Sequence, residues 1–114
     1  MTEILITESR QFVADHCHSM PESFEPRHGH NWKLEATVRN HESFRLGSTL
    51  DSLLEIIDYS SLDDHLFFEG RDATAEAVAE LAFRYLETLG LNPLVVRVRE
   101  KSNYWAACTR RSFI

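Results

Sequence analysis

Three histidines, His16, His28 and His30, lie close together in this 114-residue sequence and are the side chains best suited to chemistry. If residues 28–32 are extended, His28 and His30 lie on one face, because side chains alternate along a strand. His16, at the end of a preceding strand, can supply a third imidazole. Three neutral imidazoles with an open fourth position are typical of a catalytic zinc ion, which polarises a substrate oxygen. The spacing alone fits equally well with histidines that bind no metal.

The residues next to His16 leave the ligand set open. His16 and His18 form a second alternating pair, so a site closed by four histidines is an alternative to the open site. Cys17 should point away from His16 in a strand, and we do not predict it as a ligand. His41 is predicted to be a surface loop residue.

Two strands joined by a long loop are predicted to position these histidines. Residues 3–16 alternate apolar and polar side chains, and the apolar set that includes His16 comprises Ile4, Ile6, Phe12 and Ala14. Residues 32–40 alternate in the same way. Residues 17–27 contain two prolines and little periodicity, which indicates a loop and therefore a splayed hairpin.

Two helices are predicted in the middle of the chain. Apolar residues recur at helical spacing in the first one, at Leu50, Leu53, Leu54 and Ile57. Ser48 is predicted to cap this helix, with Asp51 three residues later as in a capping box. The second helix should begin at Asp72 and end at Gly90. Its apolar stripe is predicted to comprise Val78, Leu81, Ala82, Tyr85 and Leu89.

The chain then returns to strand patterning, in residues 94–100 and from about Tyr104 to Phe113, with a turn at residues 101–103. The order ββααββ predicts one α+β domain over residues 1–114. Its four-stranded antiparallel sheet would be covered on one face by the two helices. The two open edges of such a sheet favour assembly of several chains into a larger barrel.

Composition narrows the classes of function. A net charge of −6 argues against a general nucleic-acid binder. The late arginines, such as Arg97 and Arg99, are predicted to be solvated charges on a sheet face, with binding of an anionic small molecule as the alternative. No stretch resembles a signal peptide or a membrane span, and two cysteines make no disulfide framework. We therefore expect a cytoplasmic protein without a nucleic-acid or membrane partner.

Five motifs resemble those of the 6-pyruvoyltetrahydropterin synthase family, which includes bacterial 6-carboxytetrahydropterin synthases of the queuosine pathway. They are F-x-A-x-H at residues 12–16, H-G-H-N-aromatic at 28–32, Leu62-Asp63-Asp64-His65, T-x-E at 74–76 and V-x-E at 98–100. The resemblance covers nearly the whole chain. It implies the T-fold subunit of that family and a hexamer of two stacked trimers, with active sites between subunits.

The resemblance also implies a role for each matching residue. Zn²⁺ would be bound by His16, His28 and His30. Glu100 would accept hydrogen bonds from the 2-amino and N3 groups of a pterin, with a salt bridge to an arginine as the alternative. Asp64 and His65 would relay protons, although such a pair also occurs as a simple helix-end cap. Thr74, near Glu76, would frame the pterin ring or cap the helix.

The sequence departs from the family at the general base, which is usually a cysteine a few residues before H-G-H. No cysteine occupies that stretch here. Glu25 lies three residues before His28, which resembles a variant branch in which glutamate replaces the cysteine. That branch is linked to cleavage of the dihydropterin side chain to a hydroxymethyl product for folate synthesis. Glu22 is a competing candidate for the base.

These observations define three hypotheses about function. The first is a zinc-dependent carbon–oxygen or carbon–carbon lyase acting on 7,8-dihydroneopterin triphosphate or a close relative. The second is cleavage to 6-hydroxymethyl-dihydropterin with Glu25 as the base. The third is a pterin-binding homologue that has lost catalysis. A purely structural module with incidental histidines is a further alternative.

Overall fold

The computed structural model describes the backbone of residues 1–20, 23–62, 68 and 72–111, and the side chains of residues 1–14, 31–60, 62, 68 and 72–111. The first half of the chain contains strands β1 (Leu5–Met20) and β2 (Ser23–Arg39), a 3-10 turn (Asn40–Glu42) and helix α1 (Ser43–Ile57). The second half contains the short strand β3 (Ser60–Ser61), helix α2 (Ala75–Thr88), and strands β4 (Val95–Lys101) and β5 (Tyr104–Thr109).

The strands in the described part of the chain form one sheet with the order β3-β1-β2-β4-β5. The four long strands pair antiparallel, as the sequence predicts, and only the two-residue β3 runs parallel to its neighbour. The predicted ββααββ order and the α+β class are therefore confirmed. None of the helices in the described part of the chain is both long and apolar enough to span a membrane.

Strands β1 and β2 form one long hairpin. The predicted loop at residues 17–27 is wrong, because β1 continues to Met20 and β2 begins at Ser23. The register shifts by one residue beyond His16, which leaves Pro26 and its neighbour opposite a single residue of β1. Such a bulge accommodates proline, which has no N–H to donate to the ladder. Pro26 therefore lies within the strand that it was expected to interrupt.

One face of the sheet packs against both helices, and its buried side chains follow the predicted alternation. On β2 and β4 they are Trp32, Leu34, Ala36, Val38, Val96 and Val98. The ring of Phe12 on β1 stacks on the ring of Trp32 on β2, with centroids 5.7 Å apart. Ile4, which was predicted to belong to the alternating apolar set of the first strand, precedes β1 and is 65% exposed.

The opposite face of the sheet carries charged side chains, as predicted for the late arginines. Arg97 donates to Glu35 on the neighbouring strand, at 3.3 Å. Its guanidinium also lies 4.3 Å from the centroid of the Trp105 ring, with Arg99 on the same ring at 5.5 Å. The two contacts with Trp105 are cation–π pairs, and neither α1 nor α2 covers this face of the sheet.

Helix α1 begins earlier than predicted. Ser48 lies inside the helix, where its hydroxyl donates to the carbonyl of Arg45, and therefore does not cap the helix. Asp51 is not part of a capping box either, because it accepts a hydrogen bond from Arg10 at 2.7 Å. A tertiary contact sets the start instead. Glu42, the residue before α1, is buried and accepts from the backbone and side chain of Asn92.

Helix α2 ends as predicted and begins two residues later. Thr74 rather than Asp72 caps it, because the Thr74 hydroxyl accepts from the N–H of Ala77 at 3.2 Å. Gly90, at φ +93°, follows its last turn in the left-handed conformation that favours glycine. The buried arc is wider than the predicted stripe, since alanines let α2 lie close to the sheet. It comprises Ala75, Ala77, Val78, Ala79, Ala82, Phe83 and Leu86, while Leu89 is exposed.

The contact between Glu42 and Asn92 should contribute measurably to stability. Replacing Glu42 with alanine removes a buried carboxylate together with its hydrogen bonds from Asn92, and we expect a loss of about 2 kcal/mol in the free energy of unfolding. Urea denaturation at fixed protein concentration measures the loss. Glu55→Ala, on the exposed side of α1, is the matched control and should change stability by less than about 0.5 kcal/mol. Equal midpoints for the two variants would contradict the prediction.

Candidate metal and substrate site

The backbone brings the three predicted metal ligands to neighbouring positions. His16 pairs directly with His28, and His30 pairs with Ala14. Paired residues of an antiparallel ladder share a face, as do residues two apart on one strand, so the three positions share one face of the hairpin. Three imidazoles at such positions are a suitable donor set for zinc with one open coordination site. The imidazoles themselves lie outside the described side chains, among which no cluster of three metal-ligating groups forms.

The bulge in β2 also determines where Glu25 lies. In a regular strand Glu25 and His28, three residues apart, would lie on opposite faces. The register pairs Glu25 with His18, which is two residues from His16 on β1. The extra residue in the bulge therefore brings the Glu25 position to the same face as the three histidines. His18 is the neighbouring position of the same ladder, so its part in metal binding stays open.

Glu100 occupies a second bulge, at the end of β4. Arg99 pairs with Trp105 and Lys101 with Tyr104, which leaves Glu100 as the extra residue of β4. Bulges often redirect a side chain next to an active site. Glu100 is half-buried, whereas the other members of its alternating set, such as Val98, are fully buried. Since Lys33 pairs with Arg99, this end of β4 lies beside the part of β2 that follows His30.

Tyr104 is a residue of this region that the sequence did not indicate as functional. Its hydroxyl donates to the carboxylate of Glu76 at the start of α2. This hydrogen bond and the negative charge of Glu76 raise the pKa of Tyr104, and the charge of Glu100 raises it further. The phenol therefore stays protonated at neutral pH, as the hydrogen bond requires. Thr74, two residues before Glu76, is engaged as the helix cap.

Asp64 and His65, the predicted proton-relay pair, lie outside the described residues. The residues just before them, however, lie beside β1. Ser60 and Ser61 form β3 and pair with Ala14 and Asp15 of β1, and Leu62 is fully buried. The segment that leads to Asp64 therefore starts beside the strand that carries His16.

Cys108 does not replace the missing cysteine base. It lies on β5, in a groove between α2 and β5. Strand β4 separates β5 from the hairpin that carries the histidines. Burial raises the pKa of its thiol, and the charge of Glu80 adds to this effect. A protonated thiol on another strand is a poor candidate for a base at the metal site.

The structure resembles solved 6-pyruvoyl tetrahydropterin synthases. That of Caenorhabditis elegans superposes with a TM-score of 0.81 at 19% identity, covering 96% of this chain and 97% of that chain. That of Plasmodium falciparum gives a TM-score of 0.69 at 10% identity, with 96% and 99% covered. A Plasmodium vivax variant in which a catalytic glutamate is replaced by alanine gives 0.68 at 10% identity, with the same coverage. At these identities the similarity shows a shared fold.

The sequence itself identifies the family. No curated protein matches it significantly. A family model does: the model for 6-pyruvoyl tetrahydropterin synthase matches residues 5–111, nearly the whole chain. The match includes both strands of the histidine hairpin and the bulge that carries Glu100. The chain belongs to the 6-pyruvoyl tetrahydropterin synthase family.

Proposed function

We propose that the protein is a zinc-dependent lyase that acts on the side chain of 7,8-dihydroneopterin triphosphate or a close relative. The observation that carries this proposal is the register that pairs His16 with His28 and sets His30 two residues further along the same face. Family membership supports the pterin as the substrate class. The substrate, the product and the metal are parts of the proposal.

His16, His28 and His30 would hold the zinc ion through neutral imidazoles. Bound zinc would contact the side-chain oxygens of the dihydropterin and make the adjacent carbon-bound protons more acidic. The protein must then supply a base on the same face, a second acid–base group and an anchor for the ring. Each of these has a candidate in this chain.

Glu100 is the candidate anchor for the pterin ring. A carboxylate accepts two parallel hydrogen bonds from the 2-amino and N3 groups, which fixes the ring in its plane. The bulge at Glu100 and the adjacent start of α2, with Thr74, Glu76 and Tyr104, support this assignment. Held in this way, the ring would present its side chain to the metal. In a trimer, the metal that Glu100 serves could be held by a neighbouring chain.

Glu25 is the candidate base in place of the family's cysteine. The bulged register brings its position to the histidine face, and the Plasmodium vivax relative has a catalytic glutamate. A carboxylate differs from a thiolate in basicity and reach, so it can remove a different proton. This observation favours a second candidate function, cleavage of the side chain to 6-hydroxymethyl-dihydropterin. Asp64 and His65 would return the proton in either reaction.

The products formed from 7,8-dihydroneopterin triphosphate test the proposal. We would incubate the zinc-loaded protein, purified without a His tag, with this substrate and identify the pterins by mass spectrometry. Loss of the triphosphate with an intact three-carbon side chain, or a 6-carboxy product, supports the first function, and a hydroxymethyl product supports the second. Unreacted substrate in the presence of bound zinc contradicts both and leaves a pterin-binding homologue without catalysis.

A further inference from the structure

The end of α1 is bound to the outer edge of β1 by two consecutive residues. Asp58 follows the last turn of α1, donates its N–H to Leu54 at 2.8 Å and then turns into an extended conformation. Its carboxylate accepts from the N–H of Val13 at 2.9 Å. The N–H of Tyr59 donates to the carbonyl of Val13. Both backbone polar groups of Val13 that face the sheet edge are therefore paired by residues 58–59.

Tyr59 adopts a costly backbone conformation to make this contact. Its φ of +54° is the only positive value at a non-glycine residue in the described part of the chain. The left-handed conformation costs roughly 1–2 kcal/mol for an L-residue. The Tyr59 side chain is 83% exposed, so its own packing does not offset that cost. The contact of the 58–59 backbone and carboxylate with Val13 is what holds the conformation.

The contact between β1 and the segment after α1 continues into β3 and ends next to the candidate site. Ser60 and Ser61 pair with Ala14 and Asp15, the two residues before His16. From the other side, the indole N–H of Trp32 donates to the carbonyl of Ala14 at 3.2 Å, inside the core. The strand is therefore held on both sides up to the residue before His16.

We infer that Asp58 is a positioning residue for the metal site: its carboxylate fixes the part of β1 that carries His16 and holds beside it the segment leading to Asp64 and His65. This inference rests on the proposed function, because it assumes that His16 binds zinc. Asp58 belongs to none of the motifs shared with the family and acts only through the strand. If Asp58 positions the strand in this way, metal affinity should depend on where its side-chain oxygen lies and not on its negative charge.

Three substitutions at Asp58 test this role. We would measure the zinc dissociation constant by competition with a chromophoric chelator, and thermal unfolding without metal, for Asp58→Ala, Asp58→Glu and Asp58→Asn. The alanine and glutamate variants, which remove or displace the oxygen, should weaken zinc binding about tenfold or more. Asparagine keeps an oxygen acceptor at the same place and should bind zinc like the wild type. Asp51→Ala is the control, since Asp51 contacts β1 only through the Arg10 side chain.

The outcomes separate this inference from the proposed function. If Asp58→Ala and Asp58→Glu bind zinc as Asp51→Ala does, Asp58 only stabilises the fold and the inference is wrong. If Asp58→Asn is weak while Asp58→Glu is normal, charge is what matters and the inference is again wrong. Asp58→Glu gives the answer even if Asp58→Ala fails to fold. A wild-type protein that binds no zinc overturns the proposed function and the inference with it.

Discussion

Replacing His28 with alanine should remove the zinc ion and abolish turnover. His28 pairs with His16 and shares its strand and face with His30, so it is the central position of the three. Two remaining imidazoles make an incomplete zinc site, and metal content should fall from about one ion per chain to nearly none. Metal catalysis is worth several kcal/mol, which corresponds to a loss of turnover of about a thousandfold or more. Elemental analysis and product formation measure the two effects.

His41→Ala is the matched control for this experiment. His41 is exposed in the 3-10 turn after β2, and its loss should leave metal content and turnover unchanged. His18→Ala shows whether the site has three or four histidine ligands, because only a four-histidine site would lose affinity. Wild-type zinc content in the His28 variant would show that the metal, if one binds, is held elsewhere.

Replacing Glu25 with glutamine should abolish turnover while zinc stays bound. Glutamine keeps the size and shape of glutamate but cannot accept the proton. Loss of a positioned general base typically lowers the rate by about 10²–10⁴-fold. Turnover of the dihydropterin, measured beside the zinc content of the same sample, separates loss of the base from loss of the metal. A variant with wild-type turnover would show that Glu25 is not the base.

Two further variants make the Glu25 experiment more specific. Glu22→Gln is the control for the competing acid and should retain turnover if Glu25 is the base. Glu25→Cys introduces the side chain that the family usually employs, so it should retain more turnover than Glu25→Gln. A change of product between the glutamate and cysteine forms would show that the base selects which proton is removed.

The periodic spacing of apolar residues correctly predicted the strands and helices whose buried faces follow that spacing. Alternation along β2 and β4 identified the buried side chains from Trp32 to Val38 and from Leu94 to Val98. The helical spacing of Leu50, Leu53 and Ile57 identified the buried face of α1. In these elements burial and backbone geometry favour the same residues, and no distant contact is needed to find them.

Features that depend on distant contacts could not be predicted in this way. The start of α1 is set by Glu42 and Asn92, which are fifty residues apart. The hydrogen bond between Tyr104 and Glu76 joins β5 to α2 across 28 residues of sequence. Two prolines suggested a loop, whereas the pairing of β1 with β2 absorbs Pro26 in a bulge. A bulge leaves no periodic signal in the sequence.

Only part of the candidate site could be predicted, because the pairing of β1 with β2 is also a contact between distant residues. Spacing alone left His16, His28 and His30 equally compatible with no metal at all, and the motifs of a known family supplied their roles. The register adds that the three positions are neighbours on one face. It also explains how Glu25, three residues from His28, can share that face. Asp64 and His65 stay predictions from the resemblance.

The contact at Val13 has a consequence for how copies of the chain can join. Val13 directs its N–H and carbonyl away from β2, and in a strand every second residue does the same. Gln11, Ser9, Thr7 and Leu5 therefore offer outward-facing backbone groups, whereas β3 occupies the edge at Ala14 and Asp15. At this edge of the sheet, a strand from another chain could pair with residues 5–11, which precede the stretch that β3 occupies. β3 thus separates an intermolecular ladder along residues 5–11 from His16.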